Sequence, residues 1–338
     1  MKDIQKATQR FKELYGIDHP MQSPQMVKNR VRNFRSKSDI QLEDEICNGI
    51  RKNSNGNDTT FKHIIYDTFC KFNIPCETDK KVGPYLFDLY LNTKNLLIQI
   101  CPTITHNDIV SFDKFGNGIS SMLHKQEAEY AQNAGYDCIH IFDWDNIFIL
   151  FESLNSNENV HENLVVEKID KQTYDLFCLQ YYMGNPNKTG TYNYGLYSGS
   201  DLLAVMSFRK STSDCYDWEI VRYCESVYGY NCSYVKLLLD KFISDNQAKN
   251  IVMYVDQSKF SGKELMSIGF KLKDTLYPQR IWSKGIERIL HTNISGRKYD
   301  DIFHTNYNSD HSLYTQMIEH GWLPVYDCGK KVYVYSEV

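Results

Sequence analysis

The chain has 338 residues and a formal net charge of -4 at pH 7, with 42% hydrophobic, 14% aromatic and 24% charged residues. This length exceeds one small core and predicts two or three domains. The sequence has no run of about eighteen apolar residues and no apolar leader, which argues against a membrane protein and predicts a cytoplasmic location.

The ten cysteines are scattered, with no C-x-x-C pair and no Cys/His spacing typical of zinc. Most stand inside apolar runs, where a thiol packs as a small hydrophobic group. We therefore expect free, mostly buried thiols rather than a metal cluster.

The first forty residues carry more basic than acidic side chains. Apolar spacing predicts a helix at 2–14, and Ser23-Pro24 predicts the start of a second helix at 24–35. Such an arm can follow a phosphate backbone, and a solvated basic hairpin is the alternative. The residues expected to contact DNA are Lys6, Arg10, Lys28, Arg30, Arg32 and Arg35.

A further helix is predicted at 41–54, with Glu43 and Glu45 near its start. Acidic residues in a first turn ordinarily compensate the helix dipole. Another helix, at 59–72, precedes the strands described next.

Two short apolar runs, 87–91 and 95–100, predict a β-hairpin. Each holds a polar residue, Asp88 or Gln99, where packing favours an apolar one, and His106 follows. A carboxylate, an amide oxygen and an imidazole in this order suit a divalent cation and a water near a phosphate. For His106 the alternative is a turn histidine that caps a backbone group.

After a glycine-rich loop at 115–118, a helix is predicted at 120–135 with His124 and Lys125 near its start. Lys125 either neutralises a scissile phosphate or faces solvent. A buried strand at 138–142 and a helix at 145–154 follow.

The spacing of Asp88, residue 99, His106 and His124-Lys125 resembles the very-short-patch-repair-like branch of the PD-(D/E)XK nucleases. Phage-encoded homing endonucleases of that branch are the nearer likeness. In those enzymes a small repeat thought to contact DNA occurs in arrays, and one similar block stands at 6–30.

This resemblance implies a Mg²⁺ or Mn²⁺ ion held by Asp88, Gln99 and Glu43, with Glu45 as the second choice of glutamate. The catalytic set that it implies is Asp88, Gln99, His106, Glu43, His124 and Lys125. His106 would activate water, and double-stranded DNA would be the substrate.

The family usually has glutamate where this chain has Gln99. A glutamine keeps the reach of the side chain and removes one negative charge, so the affinity for Mg²⁺ should fall. Either the natural protein is weak or inactive as a nuclease, or an active one was substituted here.

Residues 155–190 are polar, and we expect them to be irregular, with a domain boundary near 158. The later strands and helices resemble the acyl-CoA N-acetyltransferase fold, and also the tail domain of the phage endonucleases. The predicted strands and helices are 192–197, 202–208, 218–223, 234–245, 250–256 and 263–267. Acetyltransferases hold a pyrophosphate at a glycine-rich turn, whereas this turn has Gly229 among bulky residues, so we expect no coenzyme A.

Basic residues of this half offer a DNA-binding surface instead, with an inert scaffold or a protein-contact module as the alternative. They are Arg209, Lys210, Arg222, Lys236 and Arg280.

Together these patterns predict a mixed α/β protein with a basic helical arm at 1–38, a PD-(D/E)XK-type nuclease core at 39–157 and an acetyltransferase-like α+β domain at 158–338. The predicted function is a metal-dependent DNA endonuclease. The alternatives are a catalytically lapsed DNA-binding protein and an acyltransferase recruited to DNA.

Overall fold

The computed structural model describes residues 58–109, 121–155, 161–184, 188–227, 229, 231–294, 302–303 and 311–336. The predicted arm with its six DNA-contact residues, the helix with Glu43 and Glu45, and the glycine-rich loop lie outside the described residues. Within the described part, no helix is both long and apolar enough to cross a membrane.

The described chain divides into two compact units that alternate along the sequence. Unit 1 takes its residues from 58–62, 101–127 and 277–328, and unit 2 from 63–100, 128–276 and 329–336. The predicted boundary near 158 falls inside the 128–276 segment of unit 2. The division into three domains therefore stays a prediction.

A four-stranded sheet in the order β1-β2-β3-β4 includes the predicted hairpin. Its strands are β1 (Glu77–Val82), β2 (Tyr85–Leu91), β3 (Leu96–Cys101) and β4 (Asp137–Phe142). The hairpin is confirmed, because β2 and β3 pair antiparallel with Leu89 opposite Ile98. The sequence pattern misses β1, since five of its six residues are polar or charged and it lies at an exposed edge.

Three helices flank this sheet in the chain: α1 (Asp58–Lys71), α2 (Leu123–Asn133) and α3 (Phe148–Asn155). In unit 2, Phe87 and Leu97 pack with Ala131 and Cys138 in one apolar cluster. The described elements run in the order helix, three strands, helix, strand, and the sequence predicts all of them except β1. Many α/β proteins share such an order, and it assigns no nuclease core by itself.

A seven-stranded sheet in unit 2 has the order β10-β14-β9-β8-β7-β6-β5. Its strands are β5 (Leu164–Lys168), β6 (Tyr192–Ser198), β7 (Asp201–Lys210), β8 (Trp218–Glu225), β9 (Asn250–Asp256), β10 (Phe270–Leu276) and β14 (Lys330–Ser336). β8 pairs with β9 in parallel, whereas the other pairs among these described strands are antiparallel.

Two helices cover opposite faces of this sheet: α4 (Lys171–Tyr181) and α5 (Cys232–Asn246). Successive residues of a strand point to opposite faces. Accordingly Val205 of β7 packs with α4, while Ala204 and Met206 pack with α5. This region is therefore a helix, sheet, helix sandwich.

The expectation that 155–190 is irregular is wrong, because this segment contains β5 and α4. β5 is a short, half-exposed edge strand without a clear apolar alternation. Asp170 is the N-cap of α4, and its side chain accepts a hydrogen bond from the Thr173 backbone N–H at 2.7 Å. The sequence contains this capping signal. The predicted helix at 263–267 is a 3₁₀ turn, Lys263–Ile268.

Unit 1 contains a three-stranded sheet in the order β12-β11-β13. Its strands are β11 (Arg280–Lys284), β12 (Glu287–Leu290) and β13 (Leu323–Tyr326), and α6 (Leu313–Glu319) precedes β13. Trp282, Met317 and Trp322 pack in its apolar core. The nine described cysteines form no disulfide, and five of them are buried.

Candidate functional site

A pair of histidines marks the candidate site in unit 1. β3 ends at Cys101, and a tight turn follows in which the Pro102 carbonyl accepts from the backbone N–H of Thr105 at 3.0 Å and of His106 at 2.7 Å. This turn places His106, which is partly buried, beside the first turn of α2. There the Nδ1 atom of His106 lies 3.2 Å from the Nε2 atom of His124.

The contact of His124 with β13 defines the proton positions in this pair. Nδ1 of His124 lies 2.7 Å from the carbonyl oxygen of Tyr326. Because a carbonyl only accepts, this nitrogen carries the proton and donates. In the neutral pair Nε2 of His124 then accepts from Nδ1–H of His106, which makes Nε2 the basic nitrogen of His106.

Cys101 completes a cluster with these two histidines. One ligand atom from each of Cys101, His106 and His124 lies within 4.8 Å of the others. A thiol and two imidazoles are metal-binding groups. The three are close enough to share one ion, and all belong to unit 1.

Glu127 lies one helical turn after His124 and is buried, with 7% of its surface exposed. Burial raises the pKa of its carboxyl to about 7, although the charges of His124 and Lys62 act in the opposite direction. A carboxyl with this pKa exchanges its proton near neutral pH, as a general acid or base requires.

Lys125, the next residue of α2 after His124, is buried rather than solvent-facing. Only 6% of its surface is exposed, and its Nζ atom lies 4.8 Å from the centre of the Tyr277 ring. The alternative in which Lys125 merely faces solvent is therefore wrong. Its predicted contact with a phosphate stays a prediction.

Asp88 and Gln99, the described members of the predicted magnesium site, lie in unit 2. Asp88 is half-buried on β2, and its Oδ2 atom accepts a hydrogen bond from the Ile100 backbone N–H at 2.7 Å. Gln99 on β3 is buried, with 6% of its surface exposed. Together they offer one formal negative charge, which is little for a hard dication.

The helix start that would face a pyrophosphate in an acetyltransferase-like fold is occupied by the chain's own side chains. Glu225, at the end of β8, accepts a hydrogen bond from the Asn231 backbone N–H. The Asn231 side chain accepts from the backbone N–H groups of Ser233 at 3.0 Å and Tyr234 at 3.3 Å. Three amides that could bind a phosphate thus already have acceptors.

The five basic residues proposed as a DNA surface of the C-terminal half differ in their burial and in their ion pairs. Arg222 is buried, and Arg280 belongs to unit 1. Arg209 pairs with Glu219 at 2.8 Å and Lys236 pairs with Asp240. The DNA-binding surface of this half therefore stays a prediction.

Comparisons with known proteins give a fold likeness alone. No family model matches the chain, and no curated protein matches it. An IAA acetyltransferase from Bacillus cereus ATCC 14579 is 9% identical, with 52% of this chain and 100% of that chain covered and a TM-score of 0.27. A Bacillus subtilis acetyltransferase in complex with CoA is 13% identical, with the same coverage and a TM-score of 0.28.

N-acetylglutamate synthase from Neisseria gonorrhoeae is 9% identical, with 72% of this chain and 55% of that chain covered and a TM-score of 0.28. The described chain is a mixed α/β protein with several sheets. Identities this low transfer no activity.

Sequence reasoning selects His106 and His124 and misses their neighbours Cys101, Glu127 and Tyr326. Cys101 ends an apolar strand, where its pattern is that of a packing residue. The spacing His124-x-x-Glu127 places both side chains on one helix face, and this signal is present in the sequence. The Tyr326 carbonyl belongs to a strand 202 residues after His124, so the local spacing of residues cannot predict this contact.

Proposed function

We propose that this protein is a DNA endonuclease that hydrolyses phosphodiester bonds with the help of a divalent metal ion. The observation that carries the proposal is the alignment of His106, His124 and the Tyr326 carbonyl. Two residues chosen as catalytic from the sequence lie 3.2 Å apart, and a backbone acceptor orients the second.

The alignment suits His106 for proton transfer. Donation through Nδ1 makes Nε2 its basic nitrogen, and the hydrogen-bonded His124 stabilises the positive charge that develops when Nε2 takes a proton. In the proposed reaction a water oxygen forms a bond to phosphorus and its proton passes to His106. One ester P–O bond breaks, and the departing oxygen keeps the electron pair and takes a proton from water. Lys125 is the proposed partner of the phosphate charge.

The predicted magnesium set does not fit a hard dication well among the described residues. Asp88 supplies the one carboxylate there and already accepts a backbone hydrogen bond, while Gln99 is neutral. Glu43 lies outside the described residues. The proposed reaction therefore assigns no step to Mg²⁺.

The decisive experiment measures cleavage of duplex DNA with Mg²⁺ and with Mn²⁺ by this chain and by Gln99→Glu. A second carboxylate should raise cleavage by orders of magnitude, because it restores the attraction for the ion. In that background His106→Ala and Asp88→Asn should remove the activity. If Gln99→Glu binds DNA and melts normally yet cuts no better, the metal assignment is wrong and a lapsed DNA-binding protein replaces it.

A second candidate is acyl transfer, favoured by the parallel pair β8–β9 with α5 between them in the chain. Glu225 argues against the binding of coenzyme A, because its carboxylate already accepts the hydrogen bond that the Asn231 backbone N–H would donate to a phosphate. Calorimetric titration with acetyl-CoA distinguishes the two candidates. Binding in the micromolar range would favour acyl transfer over our proposal.

A further inference from the structure

We propose that Cys101, His106 and His124 form a binding site for a transition-metal ion of the Zn²⁺ type. The site is distinct in its ligands from the magnesium set predicted at Asp88, Gln99 and Glu43. It does not depend on DNA cleavage, because its argument uses only distances and donor chemistry within unit 1.

The distance between the two histidines matches a shared ion. Zinc binds imidazole nitrogen at about 2.0–2.1 Å in a tetrahedral site, so two such nitrogens stand about 3.3–3.4 Å apart. Nδ1 of His106 and Nε2 of His124 are 3.2 Å apart. These two nitrogens therefore already stand at the separation that a shared zinc ion requires.

The sulfur needs only a small movement. A zinc–sulfur bond of about 2.3 Å places the sulfur about 3.6 Å from each nitrogen in a tetrahedral site. The sulfur of Cys101 lies within 4.8 Å of one ring nitrogen of each histidine. A displacement on the order of 1 Å, within the range of side-chain adjustment, completes the three contacts.

The outer contacts of His124 are those of a metal ligand. A ligating histidine typically donates its other ring N–H to a carbonyl or carboxylate, which orients the ring. His124 does this through Nδ1, at 2.7 Å from the Tyr326 carbonyl, and so directs the Nε2 lone pair towards His106. A hydrogen bond between the rings alone would not require Cys101 in the same cluster.

The donor set selects the kind of ion. One thiolate and two imidazoles favour zinc, cobalt and similar ions, whereas magnesium and calcium prefer oxygen ligands. A thiolate leaves one positive charge on a bound dication, and the buried carboxyl of Glu127 on the same face of α2 can balance it. Three protein ligands leave a fourth position for water.

The proton balance follows from the hydrogen bonds. The Cys101 thiol releases one proton, and the proton of His106 moves from Nδ1 to Nε2, so net binding of one ion releases one proton. The ion and the proton between the rings compete for the same nitrogens. A metal-loaded chain therefore has His106 as a ligand and not as a base.

The test uses the full chain, freed of metal with a chelator and titrated with Co²⁺. We expect one equivalent to produce the visible bands of tetrahedral cobalt and a thiolate-to-cobalt charge-transfer band in the near ultraviolet, and Zn²⁺ to remove both. Calorimetry in buffers of different ionisation enthalpy should report about one proton released per ion at pH 8.

Cys101→Ser should abolish the charge-transfer band. His106→Gln, at a half-buried position, should weaken cobalt binding at least tenfold. Cys138→Ser, at a buried cysteine of β4 in unit 2, is the matched control and should leave both spectra unchanged. Near-ultraviolet circular dichroism shows whether each variant is folded. Absence of the bands in the unaltered chain, or their persistence in folded Cys101→Ser, overturns the proposal, whatever the result of the DNA cleavage assay.

Discussion

Lys259 and Asp145 form an ion pair inside unit 2, with 8% and 0% of their side-chain surfaces exposed. Lys259 also donates to the His140 carbonyl at 2.6 Å, and Asp145 accepts from the Phe142 backbone N–H at 2.8 Å. The pair thus joins the end of β4 to the loop after β9. Both charges are removed from water, so each depends on the other.

Lys259→Met should lower the free energy of unfolding by about 3–5 kcal/mol, because it leaves the Asp145 carboxylate buried without its counter-charge. Lys259→Met with Asp145→Asn should recover part of the loss. Lys171→Met removes an exposed pair with Asp175 and should change stability by less than about 0.5 kcal/mol. Urea unfolding compares the three, and equal losses in the single variants would contradict this account.

We expect His140 to make the protein sensitive to acid. Burial, and then the charge of Lys259, lower its pKa from 6.5 to about 3. Between these pH values the unfolded chain binds a proton that the folded chain does not, so the contribution of His140 to stability is complete above pH 6.5 and is lost as the pH falls. At pH 5 the loss should be about 2 kcal/mol.

His140→Gln should therefore flatten the stability profile between pH 7 and pH 4 in urea unfolding experiments. His63→Gln, at an exposed position of α1, is the control and should keep the slope. If His140→Gln leaves the slope of stability against pH unchanged, other groups are responsible for the acid sensitivity.

Gly190 lies where the chain approaches β7 too closely for a side chain. A Cβ atom there would stand 2.1 Å from the carbonyl oxygen of Phe208, and that oxygen also accepts from the Thr191 backbone N–H at 2.8 Å. Gly190→Ala should therefore cost about 1–3 kcal/mol by forcing the backbone apart.

Gly229 is the matched control, because a Cβ atom there meets nothing within 4 Å. Gly229→Ala should stay within about 0.5 kcal/mol of the unaltered chain. Thermal melting of both variants tests this prediction. Comparable losses of stability in Gly190→Ala and Gly229→Ala would contradict the steric explanation.

The predicted basic arm at 1–38 should supply non-specific affinity for DNA. Its deletion should weaken binding and reduce the slope of log K against log salt concentration by about 0.9 for each phosphate that the arm neutralises. Binding measured at several salt concentrations tests this. An unchanged slope would mean that the arm does not touch the backbone.

The sequence predicts those elements whose pattern is strong. The hairpin at β2–β3, the helix α5 and the strand β9 are apolar and bounded by clear turns, and all three are confirmed. β1 and β5 escape prediction because edge strands need no apolar alternation. The segment 277–328 gives almost no local signal, although its described residues include three strands and a helix.

The candidate site was predictable only in part, for a similar reason. His106 and His124 stand 18 residues apart on a turn and a helix, and the family resemblance selects both. Cys101 looks like any buried cysteine until the turn at Pro102 brings His106 back towards the end of β3. Glu127 looks like any helical carboxylate until its burial is known, because sequence does not state which face of α2 is covered.

The alternation of the chain between the two units has a kinetic consequence. β10 and β14 are neighbours in the sheet, with Leu276 opposite Lys330, yet the whole segment 277–328 separates them in the sequence. A hairpin normally closes within microseconds, whereas this pairing must first close a loop of tens of residues. We expect the consecutive antiparallel strands β6, β7 and β8 to acquire protection from hydrogen exchange before β14 does. The side of the sheet formed by β10 and β14 would then be the last part of unit 2 to assemble.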